Sequence, residues 1–203
     1  MTRVAVIDHG AGNLVSMVRA LERVGAAPTL VDQGSLKAFD AVVLPGVGAT
    51  GPAMRTLNRA GLSAELRSFE GPLLGVCVGM QLLFESSSED DTECLGLFKG
   101  QVESLEASPL PHIGWNSVVT ESEGIFGSPA SEELFYFVHS FAARPDDDAV
   151  VTAWTTYGKD RFASVVATGH VTGVQFHPER SGDAGLDLLT RFVATATEAR
   201  HVA

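Results

Sequence analysis

Leu73-Leu74-Gly75-Val76-Cys77-Val78-Gly79-Met80-Gln81 has the pattern of a strand, a sharp turn and a helix. A short apolar strand pattern runs into a cysteine with glycine two positions before and two positions after it, and a helical pattern follows. A strand-to-helix turn of this kind holds its central residue on a sharp bend, side chain exposed, with the start of the helix directed at it. Glycines at 75 and 79 let backbone pass close by, the arrangement of a nucleophile elbow with sulfur in place of oxygen.

A hundred residues later stands Gly173-Val174-Gln175-Phe176-His177-Pro178-Glu179, a second apolar run that ends in a histidine and, two residues on, a carboxylate. A cysteine nucleophile needs a base to become thiolate, and the base needs an orienting acid. Taken singly, a cysteine after an apolar strand is a small buried hydrophobe and a histidine before proline is a loop residue. Both at predicted strand ends is a different matter, because catalytic groups in open α/β sheets gather beyond the carboxyl ends of strands. Cys77, His177 and Glu179 are therefore the candidate catalytic set.

Outward from the elbow, the first half alternates strand and helix. Arg3 to Asp8 reads as a strand, and Asn13 to Val24 as a helix with Leu14, Val18, Leu21 and Val24 on one face, stopped by Gly25. Pro28 to Val31 and Asp40 to Leu44 read as strands. Pro45-Gly46-Val47-Gly48 reads as a loop, and a helix carrying Met54, Leu57, Leu66 and Phe69 reads as broken near Gly61. Such alternation implies a parallel sheet covered on both faces. From about Gly96 short strands succeed one another: Phe98 to Leu105, Ile113 to Val119, Leu134 to Val138, Val150 to Trp154, Phe162 to Ala167 and Val171 to Phe176. Hairpins between them predict antiparallel pairs that extend the sheet. Leu186, Leu189, Val193 and Ala196 mark one face of a last helix, and Glu85 to Glu93 and Asp146-Asp147-Asp148 read as solvated acidic loops. The expectation is one α/β domain over 1–203, with a mostly parallel mixed sheet.

Composition narrows the function. The chain has 203 residues, 45% of them hydrophobic and 19% charged, enough for one sizeable core. A net charge of −11 argues against a nucleic-acid partner. No apolar run approaches membrane-span length, and the N-terminus is a strand pattern rather than a signal peptide. Two cysteines, one of them at the candidate site and Cys94 an incidental thiol, point to a reducing, cytoplasmic compartment. The six histidines lack the company of an HExxH or CxxC motif, so no metal is expected.

Two glycine-rich loops compete for meaning. Gly10-Ala11-Gly12-Asn13-Leu14-Val15, with Asp32 twenty residues beyond Gly12, approaches a dinucleotide fingerprint. Its third glycine is missing, Val15 would crowd the helix against the strand, and a tight strand–helix turn explains it better; no cofactor is expected. In Pro45-Gly46-Val47-Gly48 the glycines allow a tight turn, and near a nucleophile they also let a backbone N–H approach a developing oxyanion.

The elbow followed by Gly-Met-Gln, together with His-Pro-Glu, resembles the class I, triad-type glutamine amidotransferases. Asp8-His9-Gly10-Ala11-Gly12-Asn13-Leu14, Pro45-Gly46-Val47-Gly48, Pro111-His112-Ile113-Gly114-Trp115-Asn116 and Tyr136-Phe137-Val138-His139-Ser140-Phe141 narrow the resemblance to the glutaminase subunits of imidazole glycerol phosphate synthases. It spans essentially the whole chain. It implies that Cys77 attacks the side-chain amide of L-glutamine, that His177 moves the proton and that Glu179 orients His177. It implies an oxyanion hole from the backbone N–H groups of Val47 and Val78, substrate contacts from Gly46, Gly48, Gln81, Ser140 and Phe141, and ammonia delivery to a separate cyclase subunit in a heterodimer. Asn13, His112, Trp115, Asn116 and Arg180 are the expected partner contacts. His9 and Phe141 stand where that family often has tyrosine, and Arg180 where lysine is common; arginine keeps the charge but changes the geometry. Two rival readings are a glutaminase of the pyridoxal phosphate synthase type, whose expected substrate-loop motif is absent, and a non-catalytic module that keeps the fold, which the intact Cys-His-Glu set opposes.

Overall fold

Val4, Ala5, Val6 and Ile7 have no solvent-exposed surface, because strand β1 (Arg3–Ile7) lies inside a sheet covered on both faces. The computed structural model describes residues 1–121 and 132–202. After β1 come α1 (Leu14–Arg23), β2 (Ala27–Val31), β3 (Ala41–Gly46), α2 (Thr50–Arg59), α3 (Leu62–Arg67), β4 (Leu73–Cys77) and the single turn α4 (Val78–Gln81). The second half holds β5 (Ser86–Ser87), β6 (Thr92–Glu93), β7 (Gly100–Ser104), β8 (His112–Thr120), β9 (Glu132–His139), β10 (Phe141–Pro145), β11 (Val151–Tyr157), β12 (Asp160–Thr168), β13 (Val171–Val174) and α5 (Gly182–Val202).

Nine strands form one sheet in the order β2-β1-β3-β4-β13-β12-β11-β8-β9. The first five run parallel, with Val76 of β4 beside Pro45 of β3 on one side and Val174 of β13 on the other. The remaining strands are antiparallel neighbours, as the hairpin reading expects. Two corrections apply. β7 leaves the main sheet for a second one, ordered β10-β7-β5-β6, and β10 is a strand the periodicity does not reveal. The acidic stretch from Glu85 to Glu93 is built structure: it supplies β5, a 3-10 turn and β6, and the Glu89 carboxylate accepts the N–H of Thr50 at 3.0 Å.

Helix amphipathicity follows the sequence pattern with shifts. On α1, Met17, Ala20 and Leu21 are buried, while Leu14, Val18 and Val24 pack at the margin of the core. Val15 is 63% exposed, so it crowds nothing; the partial fingerprint fails for want of its third glycine alone. The helix break falls at Gly61, whose φ of 72° is left-handed and suits glycine. Pro45 and Gly46 belong to β3, so the glycine loop proper begins at Val47.

Candidate active site

β3, β4 and β13 are adjacent and parallel, so their carboxyl ends open at one place. Cys77 ends β4 with φ 55° and ψ −111°, a conformation that non-glycine residues adopt rarely. The bend is enforced by contact: a Cβ on Gly79 would collide with the carbonyl oxygen of Leu44, and one on Gly75 would come within 2.7 Å of the Gly79 carbonyl oxygen. The helix that follows is only four residues long, so its dipole is shorter than the helical pattern suggests and contributes little charge stabilisation at the sulfur.

His177 lies three residues beyond β13, its backbone N–H bonded to the Tyr136 carbonyl at 2.9 Å. Its Nδ1 is 2.9 Å from Glu179 Oε1, and both side chains are almost fully buried. The 3-10 turn Pro178–Arg180 brings the carboxylate back onto the ring. Nε2 of His177 and Oε2 of Glu179 are buried without a hydrogen-bond partner among the described residues. Burial alone would pull the His177 pKa down. Cys77, chiefly by its charge, and Glu179, by hydrogen bond and charge, override it and raise the pKa to about 10. The sulfur and Nε2 complete no hydrogen bond in distance and angle, so the charge of the sulfur is the stronger part of that influence. This is the electrostatic pattern of a cysteine–imidazole pair.

A cavity of about 440 Å³ opens over Cys77. Val47, Gly48, Val78, Gln81, Ser140 and Phe141 line it. Gly46 does not; it is buried in β3, paired with Cys77 in register. Among the expected partner contacts, Trp115 is 56% exposed, Arg180 is exposed and Asn13 and Asn116 are half-buried. His112 is 3% exposed, stacked on Tyr157 and Phe137, so it presents no surface to a partner. Arg180 lies over the ring of Tyr136, 4.3 Å from its centroid, and Trp115 meets the same ring edge-on.

Sequence reasoning missed two residues here. Glu89 is the sole acid lining the cavity among the described residues, and its stretch reads as solvent-facing because three acids stand together. Gln175 is fully buried and donates its Nε2–H to the Cys77 sulfur at 3.7 Å; a glutamine inside an apolar run was the available signal. Cys94 is buried, its thiol pushed up to about 11 by burial and then by the charge of Glu93, which makes it inert. A larger cleft of about 810 Å³ lies at the opposite, amino ends of β3 and β4, beside Asp40 and Pro72, and among the described residues no cysteine or histidine lines it.

The chain belongs to the class I glutamine amidotransferase family, whose model matches residues 5–196. Its curated relatives narrow the class. It is 44% identical to the imidazole glycerol phosphate synthase subunit HisH of Herpetosiphon aurantiacus, over 95% of this chain and 94% of that protein. It is also 44% identical to the subunit of the same name from Pyrobaculum aerophilum, over 95% and 98%. Among solved structures, a chain of PurLQS from Thermotoga maritima superposes with a TM-score of 0.75 at 20% identity, covering 98% of this chain and all of that one, which speaks for the fold alone.

Proposed function

We infer that this chain is the glutaminase subunit of an imidazole glycerol phosphate synthase, one amidotransferase domain over 1–203 working in the cytoplasm. It hydrolyses L-glutamine to L-glutamate and ammonia and passes the ammonia to a cyclase subunit, which forms imidazole glycerol phosphate and AICAR in histidine biosynthesis. The names of its relatives support the pathway. The observation that carries the chemistry is Cys77 on a strained bend beside the buried His177–Glu179 pair, under a cavity.

In the reaction the Cys77 sulfur attacks the side-chain amide carbon of glutamine, and the carbonyl oxygen takes the negative charge. Backbone N–H groups of Val47 and Val78 receive that charge. His177, held by Glu179, gives its proton to the departing nitrogen, and ammonia leaves a thioester on Cys77. Water, deprotonated by His177, attacks the thioester and releases glutamate. Glu89 supplies a carboxylate for the substrate ammonium, while Gln81, Ser140 and Phe141 offer polar backbone and amide groups.

The test is Cys77→Ala in complex with the cyclase. Glutamine-dependent synthesis is expected to vanish while synthesis from added ammonium salt persists, because the second reaction belongs to the other subunit. Substantial glutamate release by Cys77→Ala would overturn the assignment.

A further inference from the structure

A continuous chain of buried and part-buried hydrogen bonds runs from the surface of β8, along the wall of the cavity, to the Cys77 sulfur. Asn116 Nδ2 lies 3.2 Å from His112 Nε2, His112 Nδ1 3.0 Å from His139 Nε2, and His139 Nδ1 2.8 Å from the Phe141 carbonyl oxygen. That oxygen also accepts from Gln81 Nε2 at 2.9 Å. Gln81 Nε2 in turn donates to Gln175 Oε1 at 3.2 Å, and Gln175 Nε2 donates to the sulfur at 3.7 Å.

The direction of every bond is imposed by the Phe141 carbonyl in the middle of the chain and by Asn116 at its surface end. A carbonyl oxygen only accepts, so His139 must carry its proton on Nδ1 and accept at Nε2. His112 must then donate from Nδ1 and accept at Nε2, from an amide that can only donate there. The Asn116 amide is locked in that sense, since its Oδ1 accepts the Ser117 N–H at 2.8 Å and its Nδ2 also donates to the Thr156 carbonyl at 3.0 Å. On the other side, the Phe141 carbonyl fixes which end of the Gln81 amide faces it. Gln81 then turns the oxygen of Gln175 toward itself and the N–H of Gln175 toward Cys77.

We propose that Gln175 is a hydrogen-bond donor to the Cys77 thiolate, turned that way by the Phe141 carbonyl through Gln81, and that His112 and His139 are positioning residues which hold the Phe141 carbonyl in place for Gln81. The proposal rests on Cys77 being the nucleophile. It goes beyond the Cys77, His177, Glu179 set by giving the sulfur a fixed donor on a different side chain. An N–H directed at sulfur favours thiolate over thiol, and hydrogen bonds to charged groups are the stronger ones. The proposal also links Asn116, beside exposed Trp115, to the reacting atom through groups that each have one permitted orientation. The ionisable side chains that bear on His139 are His112, His177 and Asp160, while His112 responds to burial.

The histidines also have a plain packing role, since His112 stacks on Tyr157 with ring centroids 4.0 Å apart. His112→Phe keeps a stacking ring and removes the relay; His112→Gln removes the ring and keeps one donor and one acceptor. The full chain is titrated with iodoacetamide from pH 5 to pH 10 and Cys77 alkylation is read by mass spectrometry, with kcat/KM for glutamine measured in the complex. His112→Phe is expected to move the alkylation midpoint up by about one pH unit and lower kcat/KM by about tenfold or more, and His112→Gln to recover most of both. Gln175→Leu, at the other end of the relay, is expected to shift the midpoint likewise, and Asn116→Ala to do so by less; these serve if His112→Phe does not fold. An unchanged midpoint in folded His112→Phe and Gln175→Leu, or His112→Gln behaving no better than His112→Phe, would overturn the proposal. Alkylation does not require glutamine turnover, so a chain that labels as expected but releases no glutamate would refute the glutaminase reading while leaving the relay standing.

Discussion

Cys77 occupies φ 55°, ψ −111°, and such strain costs on the order of 1–3 kcal/mol for a residue with a Cβ. Glycine escapes that cost, while losing roughly 0.5–1 kcal/mol through its greater freedom in the unfolded chain. Cys77→Gly is therefore expected to be at least as stable as Cys77→Ala in urea unfolding, whereas at an ordinary strand position it would be weaker. A Cys77→Gly midpoint clearly below that of Cys77→Ala would mean the bend is not strained. His177 and Glu179 are expected to differ in severity. His177→Asn removes both proton transfers, a loss of about 10²–10⁴-fold in kcat. Glu179→Gln leaves the base in place with a poorer orienting bond and is expected to lose less. The reverse ranking in steady-state kinetics would mean that the roles are misassigned.

At the scale of elements, the elbow depends on β3, β4 and α4 meeting without intervening side chains. Gly79→Ala is expected to yield little folded protein, or a melting temperature lowered by many degrees, because its Cβ would meet the Leu44 carbonyl directly. A wild-type melting curve for Gly79→Ala would contradict that packing. The elbow was legible in the sequence because strand, nucleophile and helix are contiguous there, and local periodicity reports local structure. His177 and Glu179 were legible for the same reason. The second sheet was not: β10 follows β9 after a single residue, Ser140, with no turn signal to mark a new strand beyond Val138, and β5 and β6 are two residues each. The relay through His112, His139 and Gln175 was hidden because it joins β8, β9 and the residue after β13, which only the folded sheet order brings together. The resemblance places His112 among the partner contacts with Trp115 and Asn116 of the same segment; in the fold Ile113 and Trp115 are exposed while the His112 ring points into the core.

For the whole molecule, buried neutral histidines set a pH limit. Burial lowers the pKa of His112 to about 4 and, against the opposing hydrogen bond to the Phe141 carbonyl, that of His139 to about 3, from about 6.5 in the unfolded chain. Below about pH 6.5 the unfolded state therefore binds more protons than the native state, so these groups weaken the fold as pH falls toward 3–4, by at most on the order of 1 kcal/mol per pH unit each. His177 has the opposite sign: its raised pKa adds stability below about 6.5 that is lost only as pH rises through about 10, so it does not offset the acid loss. His112→Gln is expected to show a shallower loss of urea midpoint between pH 7 and pH 5 than the native chain, and equal slopes would refute the assignment. The other property of the whole is coupling to the partner. We propose that the peptide of Val47, at the open end of β3 and followed by Gly48, turns its N–H toward or away from the oxyanion; one missing donor costs about 10²–10³-fold. The isolated chain is expected to hydrolyse glutamine slowly and to accelerate by about that factor with cyclase carrying its ligand, and equal rates would sink the switch. The most direct test of the central claim is to quench the complex during glutamine turnover and map the acyl group by peptide mass spectrometry. A glutamyl adduct is expected on the peptide that carries Cys77; glutamate release with the adduct on Cys94, or with no adduct on Cys77 under conditions that preserve thioesters, would rule out Cys77 as the nucleophile.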